Sequence, residues 1–79
     1  MKKEQIKKIM TKVFEIESSL VNDEISQKNT DQWDSLNHLN LIVEIEEEFD
    51  ISFTPEQIGS MTSLEIILDE IKKLNYDLS

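Results

Sequence analysis

A serine that follows an aspartate at the mouth of an amphipathic stretch is placed for one kind of chemistry. In Asp34-Ser35-Leu36, Asp34 can cap a helix that begins at Ser35. A serine at the first helical position exposes its hydroxyl among backbone N–H groups that lack partners within the helix. Those donors and the positive end of the helix dipole favour an anion, so a phosphate ester on Ser35 would sit in a favourable field. The plain alternative is an ordinary helix-start serine. A nucleophilic use of the same hydroxyl would take His38 as base and Asp34 as acid. However, the chain has no Gly-x-Ser-x-Gly elbow, and residues three apart on one helix run side by side instead of converging. His38 therefore reads as a surface histidine, and one His without any Cys cannot build a multi-histidine or thiolate metal site. A calcium loop over residues 50–61 fails as well, because its sixth position is Pro55 instead of Gly and its twelfth is Met61 instead of Glu. The residues point to no catalytic group and no metal site.

The elements that must hold Ser35 follow from apolar spacing. Ile6, Ile9, Met10, Val13 and Phe14 form one stripe on an amphipathic helix, expected over residues 3–16. Residues 17–33 are rich in Ser, Asn, Asp and Thr, with Leu20, Val21 and Ile25 as their few apolar members before Trp33, and read as a long loop pinned to the bundle by those side chains. A loop of this length in a compact domain calls for a functional explanation. The second helix is expected over residues 35–49, with Leu36, Leu39, Ile42, Val43 and Phe49 turned inward. Thr54-Pro55-Glu56-Gln57 supplies a capping Thr, a first-turn Pro and a Gln at the third position, which predicts a short helix over residues 55–60. Thr62-Ser63-Leu64-Glu65 repeats the capping-box spacing ahead of a stripe of Leu64, Ile67, Leu68, Ile71 and Leu74, and Lys72 and Lys73 suit the negative end of its dipole. The expectation is an all-α, four-helix bundle of one domain over residues 1–79. Three of its helices are longer and one is short, a long loop joins the first two, and the sole hint of a strand lies at residues 51–53.

Composition bounds the rest. A chain of 79 residues buries only about 60% of the surface its unfolded state exposes, which leaves little room for an elaborate active-site cavity. Eight Lys and no Arg face 17 carboxylates, for a net charge of -9, so nucleic acid and anionic membrane are poor partners. Five of the Lys fall in the first twelve residues, whereas eleven Asp or Glu and no cation lie between Lys28 and Lys72. A partner steered to that middle region should be basic. No stretch approaches the roughly 18 apolar residues of a membrane span, and the reading is a monomeric, cytoplasmic protein.

Asp34-Ser35-Leu36, followed by Leu39, Ile42 and Val43 and by Glu46-Glu47-Glu48-Phe49-Asp50, resembles the attachment motif and second helix of acyl carrier proteins. The resemblance extends over the whole chain in element order, length and acidity. It implies a carrier without catalysis of its own. A phosphopantetheinyl transferase, using coenzyme A and Mg2+, would attach 4'-phosphopantetheine to Ser35, and the arm's thiol would hold acyl groups as thioesters. Asp34 would support the site by capping the helix and helping the transferase hold its metal. Leu36 would be a docking contact beside the arm, and Glu44, Glu47 and Glu48 would meet basic patches on acyl-activating or acyl-transferring enzymes.

In fatty-acid carriers a Gly and a small residue usually precede the motif, where this chain has Gln32-Trp33, and acidic residues commonly stand where it has Asn37 and Asn40. The Trp-Asp-Ser-Leu variant looks more like stand-alone carriers of specialised acyl pathways. An aminoacyl or peptidyl carrier beside an adenylating ligase would present the same serine. From a different class, an acidic helical adaptor without a prosthetic group would share the charge. Trp33 either covers the end of the bundle or contacts the arm or a partner. The acidic run of residues 44–50 is by default a solvated face, and the resemblance makes it a docking face.

Overall fold

The computed structural model describes residues 2–74 and is all-α. Helix α1 is Lys2–Phe14, α2 is Ser35–Phe49, α3 is Pro55–Ser60 and α4 is Leu64–Leu74, so the expected bundle of three longer helices and one short one is what forms. Among the described residues no helix is long and apolar enough to cross a membrane. Helix α1 ends two residues short of the expected boundary because Glu15 takes a left-handed conformation, with φ of 55°, which ends the helical hydrogen-bond pattern. Ile16, placed in the helix by its spacing, instead packs half-buried from the start of the loop.

Helices α1 and α2 run antiparallel. Lys12 meets Glu44 at 3.1 Å, and nearer the start of α1 the Gln5 amide meets Glu48 near the end of α2 at 3.5 Å. Between the helices lies a core of Ile6, Met10 and Phe14 from α1, Leu41, Ile42 and Ile45 from α2, and Leu64, Ile67 and Ile71 from α4, all buried. Each such side chain contributes about 1.5–3 kcal/mol on leaving water.

The inward face of α2 differs from the expected one. Leu36, Leu39 and Val43 are 70%, 55% and 50% exposed, and the buried positions are His38, Leu41, Ile42 and Ile45. This helix carries two apolar stripes at helical spacing. Counting His38 as polar hides the one that the core takes, since positions 38, 41, 42 and 45 also fall at intervals of three, four and seven. Leu74 likewise lies on the surface instead of closing the stripe of α4.

Residues 15–34 are less irregular than their composition suggests. They contain 3₁₀ turns at Ser18–Leu20 and Gln27–Asn29. Val21 and Ile25 enter the core as expected, whereas Leu20 stays exposed. Two backbone bonds, Gln27 N–H to Thr62 O at 2.8 Å and Leu64 N–H to Ile25 O at 3.0 Å, fasten the loop across Ser26 and Ser63 to the turn before α4. On its other side Asp23 accepts from Lys3 at 3.0 Å and Lys7 at 2.6 Å. The hydrogen bond from Lys7, then that from Lys3, hold the Asp23 carboxyl below the ordinary carboxylate range. In return, the hydrogen bond to Asp23 raises Lys7.

No strand forms at residues 51–53. Phe53 is buried, and its N–H donates at 2.8 Å to the Glu46 carboxylate, which thereby holds the connection to α3. The capping box of α3 forms as its sequence predicts, with Gln57 N–H on Thr54 Oγ1 at 3.1 Å and Thr54 N–H on Gln57 Oε1 at 2.9 Å. For α4 the cap is Ser63 instead of Thr62. Its Oγ accepts from Ile66 N–H at 3.2 Å, while the Thr62 carbonyl is used by the loop.

Candidate functional site

Ser35 is the first residue of α2, and both it and Asp34 are exposed. Asp34 is extended, and its Oδ1 accepts from Asn37 N–H at 2.9 Å, while its backbone carbonyl accepts from His38 N–H at 2.8 Å. The first of these bonds satisfies an otherwise orphaned donor of the first turn, and the second is the first regular bond of the helix. The N–H donors of Ser35 and Leu36 have no carbonyl within the helix to bond, and they lie next to the Ser35 hydroxyl. The approach to the cap is held from behind, because the Asn37 side-chain amide donates to Gln32 O at 2.8 Å and Trp33 N–H donates to Thr30 O at 3.0 Å. The result is a fixed helix mouth with an accessible hydroxyl and partial positive charge around it. These features suit a phosphodiester on Ser35.

The two side chains nearest in sequence to this motif are not where the sequence suggests. Trp33 is only 1% exposed, and its ring packs against Phe14 with centroids 5.3 Å apart. It covers the end of the bundle and leaves no surface for an arm or a partner. His38, expected on the surface, is 8% exposed. Its Nδ1 lies 2.9 Å from Trp33 Nε1, and its Nε2 lies 2.7 Å from Ile58 O in α3. An indole nitrogen only donates, so Nδ1 accepts and the network assigns the ring proton to Nε2, which donates to the carbonyl. Burial of this histidine is possible because both ring nitrogens are hydrogen-bonded. The same geometry removes it from any nucleophile set with Ser35 and Asp34: no ring nitrogen is left to take a proton, and the Asp34 carboxylate is occupied as a cap.

The expected docking residues divide into unlike groups. Leu36 is the most exposed of the large apolar side chains and begins a ridge with Leu39 and Val43 down the outer face of α2. Missed by the sequence reading, this ridge is legible in the i, i+3, i+7 spacing once the core is seen to take the other stripe. Glu47 is exposed, and among the described residues it has neither an ion pair nor a hydrogen-bonding partner. Glu44 is half-buried and ion-paired to Lys12, and Glu48 touches Gln5. Both therefore lean towards α1. Beside the ridge Asn40 and Asn37 contact each other at 3.4 Å, so the stretch next to Ser35 is apolar and amide-rich. Among the described residues no group of three or more His, Asp or Glu is arranged to hold a metal ion.

No family model matches the chain. Over 70 residues, 87% of this chain and 88% of the relative, it is 37% identical to the acyl carrier protein of Buchnera aphidicola subsp. Baizongia pistaciae.

Proposed function

The chain belongs to the acyl carrier protein family, and from that premise we propose that Ser35 carries 4'-phosphopantetheine and that the protein presents acyl groups on it to partner enzymes. The observation that carries this reading is the exposed Ser35 hydroxyl at the first position of a helix capped by Asp34. In the attachment step Ser35 Oγ forms a bond to a phosphorus of coenzyme A. The pyrophosphate bond breaks, the adenosine bisphosphate leaves, and the hydroxyl proton passes to the phosphopantetheinyl transferase. The unpartnered N–H groups of Ser35 and Leu36, held in place by the cap, would favour the phosphodiester charge there. Once attached, the group supplies a thiol for thioester formation, the sole thiol on a chain without Cys. Leu36, next in sequence to Ser35 and open to solvent, seats partner enzymes there, with Glu47 as the unpaired carboxylate of the docking face and Glu44 and Glu48 at its edge. Catalysis belongs to those partners. Gln32-Trp33 before the motif, and Asn37 and Asn40 after it, favour a specialised acyl pathway over bulk fatty-acid synthesis.

Incubation with coenzyme A, Mg2+ and a broad-specificity phosphopantetheinyl transferase should raise the intact mass by one phosphopantetheine, and Ser35→Ala should block the change. An unchanged wild-type mass, or modification that persists in the alanine variant, defeats the proposal. An adaptor without a prosthetic group predicts the unchanged mass.

A further inference from the structure

The end of the bundle nearest the Ser35 helix start is shut by a hydrogen-bonded chain. Trp33, two residues before Ser35, donates to His38, one turn after it, and His38 donates to the Ile58 carbonyl of α3, at 2.9 and 2.7 Å. Phe14 of α1 lies against the Trp33 ring. Helices α1, α2 and α3 and the loop before Ser35 are thus represented at one closure. Behind it, Leu41, Ile42 and Ile45 of α2 and Leu64, Ile67 and Ile71 of α4 leave at most 2% of their surfaces open. A surface hollow of about 340 Å³ lies in the loop before Trp33, lined by Leu20, Asn22, Ile25, Thr30 and Gln32, on the far side of Trp33 in the chain from Ser35.

An alkyl chain hanging from Ser35 has two places to go, into the bundle or into solvent. A filled core by itself does not decide between them, since packed interiors can expand at some cost. The polar closure does. To pass between α2 and α3 a chain of methylenes must part His38 from Ile58 O or from Trp33. It cannot replace either hydrogen bond, so an indole N–H or an imidazole nitrogen loses its partner at the buried end of the bundle. Short acyl groups bring too few methylenes to offset that loss, and polar ones bring groups that favour water.

We infer that the Trp33–His38–Ile58 chain keeps cargo outside the bundle, so that this carrier serves short or polar acyl groups, aminoacyl groups among them, instead of long alkyl chains. The inference rests on the attachment at Ser35 proposed above.

The test loads the protein from acetyl-, octanoyl- and dodecanoyl-coenzyme A with a promiscuous phosphopantetheinyl transferase, and intact mass verifies each product. Absence of any mass change would defeat the attachment itself and is thereby distinguished from failure of the present inference. Each thioester is then cleaved with hydroxylamine beside the same acyl group on free coenzyme A. Sequestration slows attack in proportion to the population held inside, so rates on the protein should stay within about twofold of the free thioester at all three lengths. Trp33 emission should not move. Cleavage of the octanoyl or dodecanoyl protein about tenfold or more below its free counterpart, or a shift of Trp33 emission on loading, would overturn the inference. The double variant Trp33→Phe/His38→Leu replaces the polar pair by apolar groups, a change that can be nearly neutral for folding. It should protect octanoate more than the parent does. A folded double variant that gives no added protection would remove the role assigned to Trp33 and His38.

Discussion

The indole Nε1–H of Trp33 points at Nδ1 of His38, five residues further on, across 2.9 Å of buried space. Through this bond the last loop residue before the Asp34 cap is tied to the inner face of α2, and through the other ring nitrogen α2 is tied to α3. The exposed serine between them stands on a foundation that is polar and buried. Its geometry requires the neutral, Nε2-protonated imidazole.

Trp33→Phe keeps an aromatic ring against Phe14 but leaves His38 Nδ1 without a donor, so it should lower stability by about 1–3 kcal/mol in addition to the lost indole volume. His38→Leu should cost a similar amount by orphaning Trp33 Nε1–H and leaving Ile58 O only the 3.4 Å bond from Met61 N–H. Because the two residues share one bond, their effects should not add, and the double variant should fall short of the sum by about 0.5–3 kcal/mol. Urea unfolding of the four proteins measures the coupling. Additive losses would show that the bond carries no energy of its own.

Asp50 closes α2 in a left-handed conformation, with φ of 54°, while its N–H bonds back to Glu46 O. A residue with a Cβ is held there at a cost of about 1–2 kcal/mol, whereas Gly adopts it freely. Against this, Gly gives up about 0.4–1 kcal/mol through a more disordered unfolded chain. Removal of a carboxylate from the negative end of the helix adds a gain of about 0.3–1 kcal/mol. The balance predicts that Asp50→Gly stabilises by roughly 1 kcal/mol, seen as a higher thermal midpoint. Asp50→Asn separates the terms, since it removes the charge alone and should recover only part of the gain. A lower midpoint for Asp50→Gly would disprove the account.

Asp23 binds Lys7 and Lys3 and anchors the loop on α1. Its carboxyl is held below the ordinary range by those hydrogen bonds, so its contribution is present above the usual carboxylate pKa. It is lost as pH falls through the lowered folded value. Asp23→Asn should therefore melt below the parent at neutral pH, and the two melting points should converge as pH drops below about 4. All three side chains are solvent-accessible, so the difference is small and should shrink with added salt. A gap that widens in acid would contradict the assignment.

The helix starts were legible in the sequence because capping is local chemistry: Asp34 and the Thr54-Gln57 box act where their spacing says they act. Ser63 took the place of Thr62 because the Thr62 carbonyl pairs with Gln27, a contact between segments far apart in the chain that no local rule contains. The facing of α2 was misread for a related reason. Leu36, Leu39 and Val43 form as regular a stripe as Leu41, Ile42 and Ile45, and what assigns the core is whether His38 can be buried. That depends on a tryptophan in the loop and a carbonyl in α3, both supplied by tertiary structure. Exposure of Ser35 follows from its place in the first turn.

Docking on α2 should depend on two residues in different ways. Glu47 is exposed and unpaired among the described residues, whereas Glu44 is held by Lys12 and Glu46 by Phe53 N–H. Among Glu44, Glu46, Glu47 and Glu48, Glu47 is therefore the carboxylate most available to a basic partner. An exposed charge is worth about 0–1 kcal/mol, so Glu47→Lys should raise the transferase KM by up to about fivefold at low ionic strength. The effect should fade in concentrated salt, where the screening length falls to about 3 Å. Reversal at Glu48 is a less clean test because it also disturbs the contact with Gln5 on α1. Leu36, 70% exposed, acts by burial instead of charge. Leu36→Ala removes apolar surface beside the reacting serine and should raise KM to a similar or greater extent, without relief by salt. Neither variant touches the core, so circular dichroism and the melting temperature should match the parent. Measurement of KM for the three proteins at low and high salt separates steering from seating. If Glu47→Lys leaves KM unchanged at low salt, this face does not steer. If the Leu36→Ala defect disappears with salt, the ridge does not dock by burial.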